Sequence, residues 1–128
     1  MKYFDVPTRT RDQFVNITAQ VQQAVRDLGV TEGAVTVFVP HTTCGLTINE
    51  NADPDVVSDM LKQLDLLAPH RQPFYEHAEG NSAAHLKASL MGCSLHLIVT
   101  CGHIDLGVWQ GLYLCEFDGP RTRRVWVQ

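Results

Sequence analysis

Residues 94–117, SLHLIVTCGHIDLGVWQGLYLCEF, decide the fold class. Ser94 to Thr100 alternates Leu95, Leu97 and Val99 against His96, Ile98 and Thr100. Trp109 to Phe117 alternates Trp109, Gly111, Tyr113, Cys115 and Phe117 against Gln110, Leu112, Leu114 and Glu116. A period of two is the signature of a strand, and the turn around Cys101 and Gly102 suits a hairpin. Asp118-Gly119-Pro120 reads as a second turn, leading into a last strand from Arg121 to Val127.

Working back toward the N-terminus, the pattern becomes helical. Ser82 to Met91 reads as a short helix entered through Asn81 or Ser82 and closed by Gly92. Before it, Pro69 to Gly80 (PHRQPFYEHAEG) has two prolines, two histidines and no period, so it reads as a long loop of the kind that often carries function. Val56, Val57, Met60, Leu61 and Leu64 mark one face of a helix that starts at an Asp53 cap with Pro54 in the first position and runs to about Leu67. Ala34 to Val39 (AVTVFV) is a strand by its β-branched content. Asn16 to Leu28 carries Ile17, Val21, Val25 and Leu28 at helical spacing, with Asn16 or Thr18 as cap and Gly29 just past the end. Met1 to Pro7 can form a short strand. Helices early and strands late predict an α+β fold: a single compact domain over residues 1–128, a mainly antiparallel sheet or sandwich with about three helices.

Composition narrows the functional classes. With 128 residues, 45% hydrophobic and 19% charged, the chain can bury a core without staples but is far short of the roughly 250 residues of a (β/α)₈ barrel. A net charge of −4 offers no electrostatic footprint for nucleic acid. No run approaches the ~18 apolar residues of a membrane span, and the opening residues lack signal-peptide features, so a cytoplasmic location is expected. Cys44, Cys93, Cys101 and Cys115 show no metal-binding spacing and are read as reduced.

Val39 to Val57 holds the densest set of chemically capable side chains, read as a strand-to-loop-to-helix passage with a site at His41 through Asn51. His41, His77 in the long loop and His85 in the first turn of the third helix all lie in polar, turn-rich surroundings, and three neutral imidazoles can hold a zinc-type metal with one position open. Glu50, which no structural role explains, is the candidate base or partner of a ligating imidazole, while Asp53 is accounted for as a cap. Asn81 and Ser82 at a helix start, Lys87 about one turn on, and Arg121 at the head of the basic run Arg121-Thr122-Arg123-Arg124 form a candidate phosphate-binding set, with Arg121 and Arg123 expected to point the same way.

HTTCGLTINENADPDV, HAEGNSAAHLKASLMG and LGVWQGLYLCEFDGPRTRRVWV, in that order, resemble the YjbQ-like family, also called the secondary thiamine-phosphate synthase family, from about Val37 to the end. Thr100 to His103 departs from the family pattern, so no role is attached to Cys101 or His103. The resemblance implies an α+β fold that assembles as a homotrimer, with a pocket near subunit contacts. It matches His41, His77 and His85 to the family's motif histidines, and Glu50, Asn51, Asn81 and Arg121 to its other polar motif positions, making Glu50 and Asn51 the candidate catalytic pair. The implied activity joins hydroxymethylpyrimidine diphosphate to thiazole phosphate with release of pyrophosphate. Mg²⁺ would suit the diphosphate, whereas three histidines favour zinc. A metal-dependent hydrolase of a small substrate and a non-catalytic protein that captures a metal or phosphorylated metabolite are the alternatives.

Overall fold

The computed structural model describes residues 1–128. In chain order the elements are β1 (Lys2–Pro7), β2 (Gln13–Asn16), α1 (Thr18–Leu28), β3 (Glu32–Phe38), β4 (Cys44–Glu50), α2 (Pro54–Leu67), α3 (Ser82–Met91), β5 (Ser94–Thr100), β6 (His103–Ile104), β7 (Gln110–Glu116) and β8 (Thr122–Val127). They build an α+β domain with two antiparallel sheets: five strands in the order β1-β8-β3-β5-β6 and three in the order β2-β7-β4. No helix is long and apolar enough to cross a membrane.

The main core lies between the sheets. Val35, Val37, Leu97, Val99, Val125 and Val127 from the large sheet meet Cys44, Leu46, Leu112 and Leu114 from the small one, and α1 adds Val21, Ala24 and Val25. A second cluster forms on the other face of the small sheet, where Tyr113, Cys115 and Phe117 pack with Leu64 of α2 and Ala84 and Ala88 of α3. β7 therefore sends alternate side chains into two different cores. Its two faces are assigned correctly by the alternation, but both are covered, and everything from Gly111 to Glu116 is buried.

Three features differ from the sequence reading. The passage after Pro40 is not a loop: Cys44–Glu50 is β4, paired with β7 along its whole length. Its Thr and Asn residues hid a strand whose inward positions are Cys44 and Leu46. The Cys101–Gly102 turn closes a hairpin from β5 to the two-residue β6, not to β7, which belongs to the other sheet. Cys101 and Gly102 both adopt positive φ, 51° and 78°, and the chain leaves the large sheet only after β6. β2, too short and mixed to register as a pattern, pairs with β7. The helix limits follow local chemistry: Asp53 accepts from Asp55 N at 2.9 Å, and Gly29 takes the left-handed conformation at φ 73°.

Candidate functional site

α3 is seated against β4 at a position only glycine allows. A Cβ on Gly45 would lie 2.7 Å from Gly92 O and 2.8 Å from Met91 Cβ. The backbone locks the same corner, since Leu46 N donates to Gly92 O and Val39 N to Cys93 O, each at 2.9 Å. With its C-terminal end fixed, the helix presents its N-terminal end to the β3–β4 connection and to the turn before β8.

His85 in the first turns of α3 stands at the centre of what results. On one side it lines a cleft of about 450 Å³ with His41, Thr42, Cys44, Ser89 and Cys93. On the other it lines one of about 320 Å³ with Thr42, Thr43, His77, Glu79, Asn81, Asp118 and Arg121. The His77 ring, brought in by the long loop, stands 5.5 Å from the His85 ring, centroid to centroid, at 75°. Tyr75, Ser82 and Leu86 border the same pair.

Behind this cleft runs a buried ionic network that the sequence reading missed. Glu116 and Arg123 are 0% and 3% exposed. Arg123 Nε donates to Glu116 Oε1 and Oε2 at 2.9 and 3.1 Å, and its NH2 group donates to Thr43 O and Oγ1 at 3.2 and 2.8 Å. Glu116 also accepts from Thr8 Oγ1 at 2.7 Å and from the backbone N–H groups of Phe117 and Asp118 at 3.0 and 3.1 Å. Both charges thus have their hydrogen-bonding capacity well used, as charges taken out of water require. The network holds the Thr43 corner against the Asp118 turn. Asp118 Oδ2 in turn accepts from Asn81 Nδ2 at 2.8 Å and from Arg121 at 3.1 Å. The signal available in sequence was a charge inside each of two apolar strands, LYLCEF and TRRVWV.

The structure brings His77, His85, Asn81, Ser82 and Arg121 together, and His41 to the neighbouring wall. It separates the others. β4 runs six residue steps from Cys44 to Glu50, about 20 Å at strand rise, so Glu50 and Asn51 sit at the far end of the strand from His41. There Glu50 O accepts from the Tyr113 hydroxyl at 3.0 Å, and Asn51 Nδ2 reaches Gln110 O at 3.4 Å. The expected phosphate ligand Lys87 is 2% exposed, its ammonium bound to Asp12 at 2.7 Å and to Asp65, tying α3 to α2 and to the segment before β2. Arg121 and Arg123 do not share a face: Arg121 precedes β8 and is exposed, whereas Arg123 points inward. Cys44 is buried and its thiol is pushed up to about 12 by burial, which leaves it inert as a nucleophile.

His41 has a definite task. Where β3 leaves the sheet, its Nε2 accepts from Arg124 N at 2.9 Å, so the imidazole takes over a bond that a strand would otherwise make to β8. Burial, and then the nearby Arg123 guanidinium, hold the ring below the usual histidine range and keep it neutral. With Nε2 used as acceptor, the ring's proton sits on Nδ1, and neither nitrogen is open to a metal. Accordingly no group of three or more His, Cys, Asp or Glu side chains is placed to hold a metal ion, and the expected three-histidine set does not form in this geometry. Of the three, only His77 and His85 stand ring to ring.

Comparison with other proteins places this arrangement. The family model described as UPF0047 protein YjbQ-like matches residues 2–128. UPF0047 protein YugU of Bacillus subtilis is 48% identical over 128 residues, spanning 100% of this chain and 97% of that protein. A UPF0047 protein of Methanocaldococcus jannaschii is 45% identical over 125 residues, with 98% and 90% covered. The crystal structure of an uncharacterized conserved YjbQ/UPF0047 family protein from Clostridium acetobutylicum superposes with a TM-score of 0.96 at 52% identity, covering 100% of this chain and 98% of that one. A conserved hypothetical protein from Thermus thermophilus gives 0.93 at 49%, with the same coverage. Matched along nearly its whole length in both sequence and fold, the chain belongs to the YjbQ-like UPF0047 protein family.

Proposed function

We propose that the cleft between the α3 N-terminus, the His77–His85 pair and Arg121 binds a phosphorylated small molecule and carries out chemistry on it. The observation that carries this reading is the meeting of two imidazoles with a helix N-terminus and a solvent-accessible guanidinium, contributed by three separate segments. Free N–H groups and Arg121 suit phosphate oxygens, and imidazoles suit proton transfer. The specific reaction we propose is the one implied by the resemblance: joining hydroxymethylpyrimidine diphosphate to thiazole phosphate with release of pyrophosphate. In that reaction the donors of the cleft would bind the leaving diphosphate and stabilise its growing charge. Incubating the purified protein with both precursors and following pyrophosphate tests it. Release that is lost in His85→Ala supports the assignment, and release no greater than in that variant overturns it.

A second reading rests on the imidazole pair alone. His77 and His85 offer two donors to a divalent transition metal, which would polarise a substrate oxygen or lower the pKa of a bound water, giving a hydrolase. Turnover of a generic phosphate or ester that disappears with chelator and returns with zinc favours this reading. If nothing turns over while a metal or phosphate still raises the melting temperature, the protein is a binding module. Cytoplasmic residence belongs to the same proposal, supported by four free cysteines. So does assembly as a homotrimer, supported by large apolar side chains left exposed beside the cleft and on the outer face of the large sheet, among them Phe74, Leu86, Leu90 and Ile98. A mass measurement in solution checks the assembly.

A further inference from the structure

The larger cleft, on the His41 side of His85, has a different character from the one beside Arg121. Thr42 and His85 line both, so the larger begins where the smaller ends. Glu79, Asp118 and Arg121 line the smaller, whereas the larger, about 450 Å³, has no Asp, Glu, Lys or Arg in its lining. A volume of that order accommodates a small organic molecule. A charged group taken into a cleft without a countercharge loses hydration with nothing to offset it, so this lining suits a neutral group.

His41 narrows the choice among neutral groups. Its Nε2 is engaged by Arg124 N at 2.9 Å, which puts the ring proton on Nδ1 and fixes the ring's orientation, and the Nδ1–H finds no acceptor within the chain. Thr42 and Ser89 bring hydroxyls that rotate to donate or accept, but the free side of the imidazole can only donate. The wall beside it is set in advance, with Gly92 O and Cys93 O accepting from Leu46 N and Val39 N. A donor already held in place loses little freedom when a ligand arrives.

We propose that the larger cleft takes the organic part of the phosphorylated molecule, an uncharged group bearing a hydrogen-bond acceptor such as a carbonyl oxygen or an unprotonated ring nitrogen, with the His41 Nδ1–H as the donor that selects it. The inference rests on the preceding reading, that phosphate binds beside Arg121, and adds what the rest of the molecule must be. A group of the same size without the acceptor leaves the N–H unpaired once water is displaced, and a site built to hydrogen-bond its ligand discriminates against such an analogue.

Pyridylmethyl phosphate and benzyl phosphate share a shape and differ in the ring nitrogen alone. Calorimetric titration at mildly alkaline pH, where that nitrogen is unprotonated, compares them with inorganic phosphate. At least one pyridyl isomer is expected to bind the wild-type protein about tenfold more tightly than benzyl phosphate, the effect of roughly one hydrogen bond, and both should bind more tightly than inorganic phosphate. His41→Phe should make the pyridyl and benzyl compounds equal. Cys93→Trp, at an exposed position of the lining, fills the cleft with the His41 donor in place and should bring both organic phosphates down to the affinity of inorganic phosphate. Equal affinity of the wild type for every pyridyl isomer and the benzyl compound overturns the selection of an acceptor. Organic phosphates that bind no more tightly than inorganic phosphate overturn the use of the larger cleft while leaving the anion site standing. Binding of none of the probes overturns the anion site and this inference together. A pyridyl advantage that survives either substitution overturns the assignment to His41 and this cleft.

Discussion

The two ends of β4 make an instructive pair. At its start, Cys44 and Leu46 are buried, Gly45 receives α3, and the preceding residues are bound to β8 through His41 and to the Glu116–Arg123 pair through Thr43. At its end, Glu50 and Asn51 carry equally capable side chains, but no cleft forms around them, and Val108 and Trp109 beside them are 86% and 61% exposed. The difference lies in the chain's other segments. At the first end a loop, a helix start and a turn enclose a cleft; at the second the Gly107–Gln110 turn and the start of α2 lie alongside without enclosing one, so where a cleft forms is decided by packing and not by residue type.

Breaking the network under the first end should have the largest effect. Arg123→Met removes one partner of a buried ion pair and leaves Glu116 with an uncompensated charge, a change that costs about 3–5 kcal/mol. Chemical denaturation should show it, and Glu116→Gln, which keeps several of the bonds, should cost less. Gly45→Ala comes next. Its Cβ must displace Gly92 or Met91, and overpacking of this kind costs about 1–3 kcal/mol. Because the displacement moves α3, ligand affinity should fall with stability.

Lys87→Met sharpens the contrast between structural and functional cations. It removes the bonds to Asp12 and Asp65 and should lower stability by about 1–3 kcal/mol, while phosphate affinity stays within about twofold of wild type. Arg121→Ala should do the reverse, with stability within about 0.5 kcal/mol of wild type and anion binding weakened about tenfold. If Lys87→Met abolishes binding with the fold intact, the division drawn between the two cations is wrong.

How much of this was legible follows from what each residue must do. The strands at 94–100, 110–116 and 122–127 and all three helices declared themselves because their burial is periodic, with Asp53 capping α2 and Gly29 closing α1 as further local signals. β4 did not, since Thr47 and Asn49 look like loop chemistry until β7 is known to lie alongside. His77, His85, Asn81 and Arg121 were visible as residue types in turn-rich surroundings. The commitments of Lys87 and His41 were not, because each is settled by a partner 22 to 83 positions away, and that of Arg123 was not, because its pairing with Glu116 depends on a cis-peptide turn between two strands and on Thr43, 80 positions away. Asp118 and Glu116 read only as a turn residue and a strand residue.

The smallest expected effect concerns His41. Its folded-state pKa lies below the ordinary value of 6.5, so between those two values the unfolded chain binds the proton more readily. Its contribution to stability is therefore complete above about pH 6.5 and is lost as pH falls toward the folded value. His41→Gln, which keeps an acceptor without a titrating ring, should flatten that part of the melting-temperature profile.

The most direct test of the central claim is an NMR titration of the imidazole resonances with inorganic phosphate. Signals of His77 and His85 are expected to move together and saturate, while those of His96 and His103, on the far strands, stay fixed. Uniform small shifts of all the histidines, or saturable shifts at the backbone of Glu50 and Asn51 with none at His77 and His85, would contradict the account.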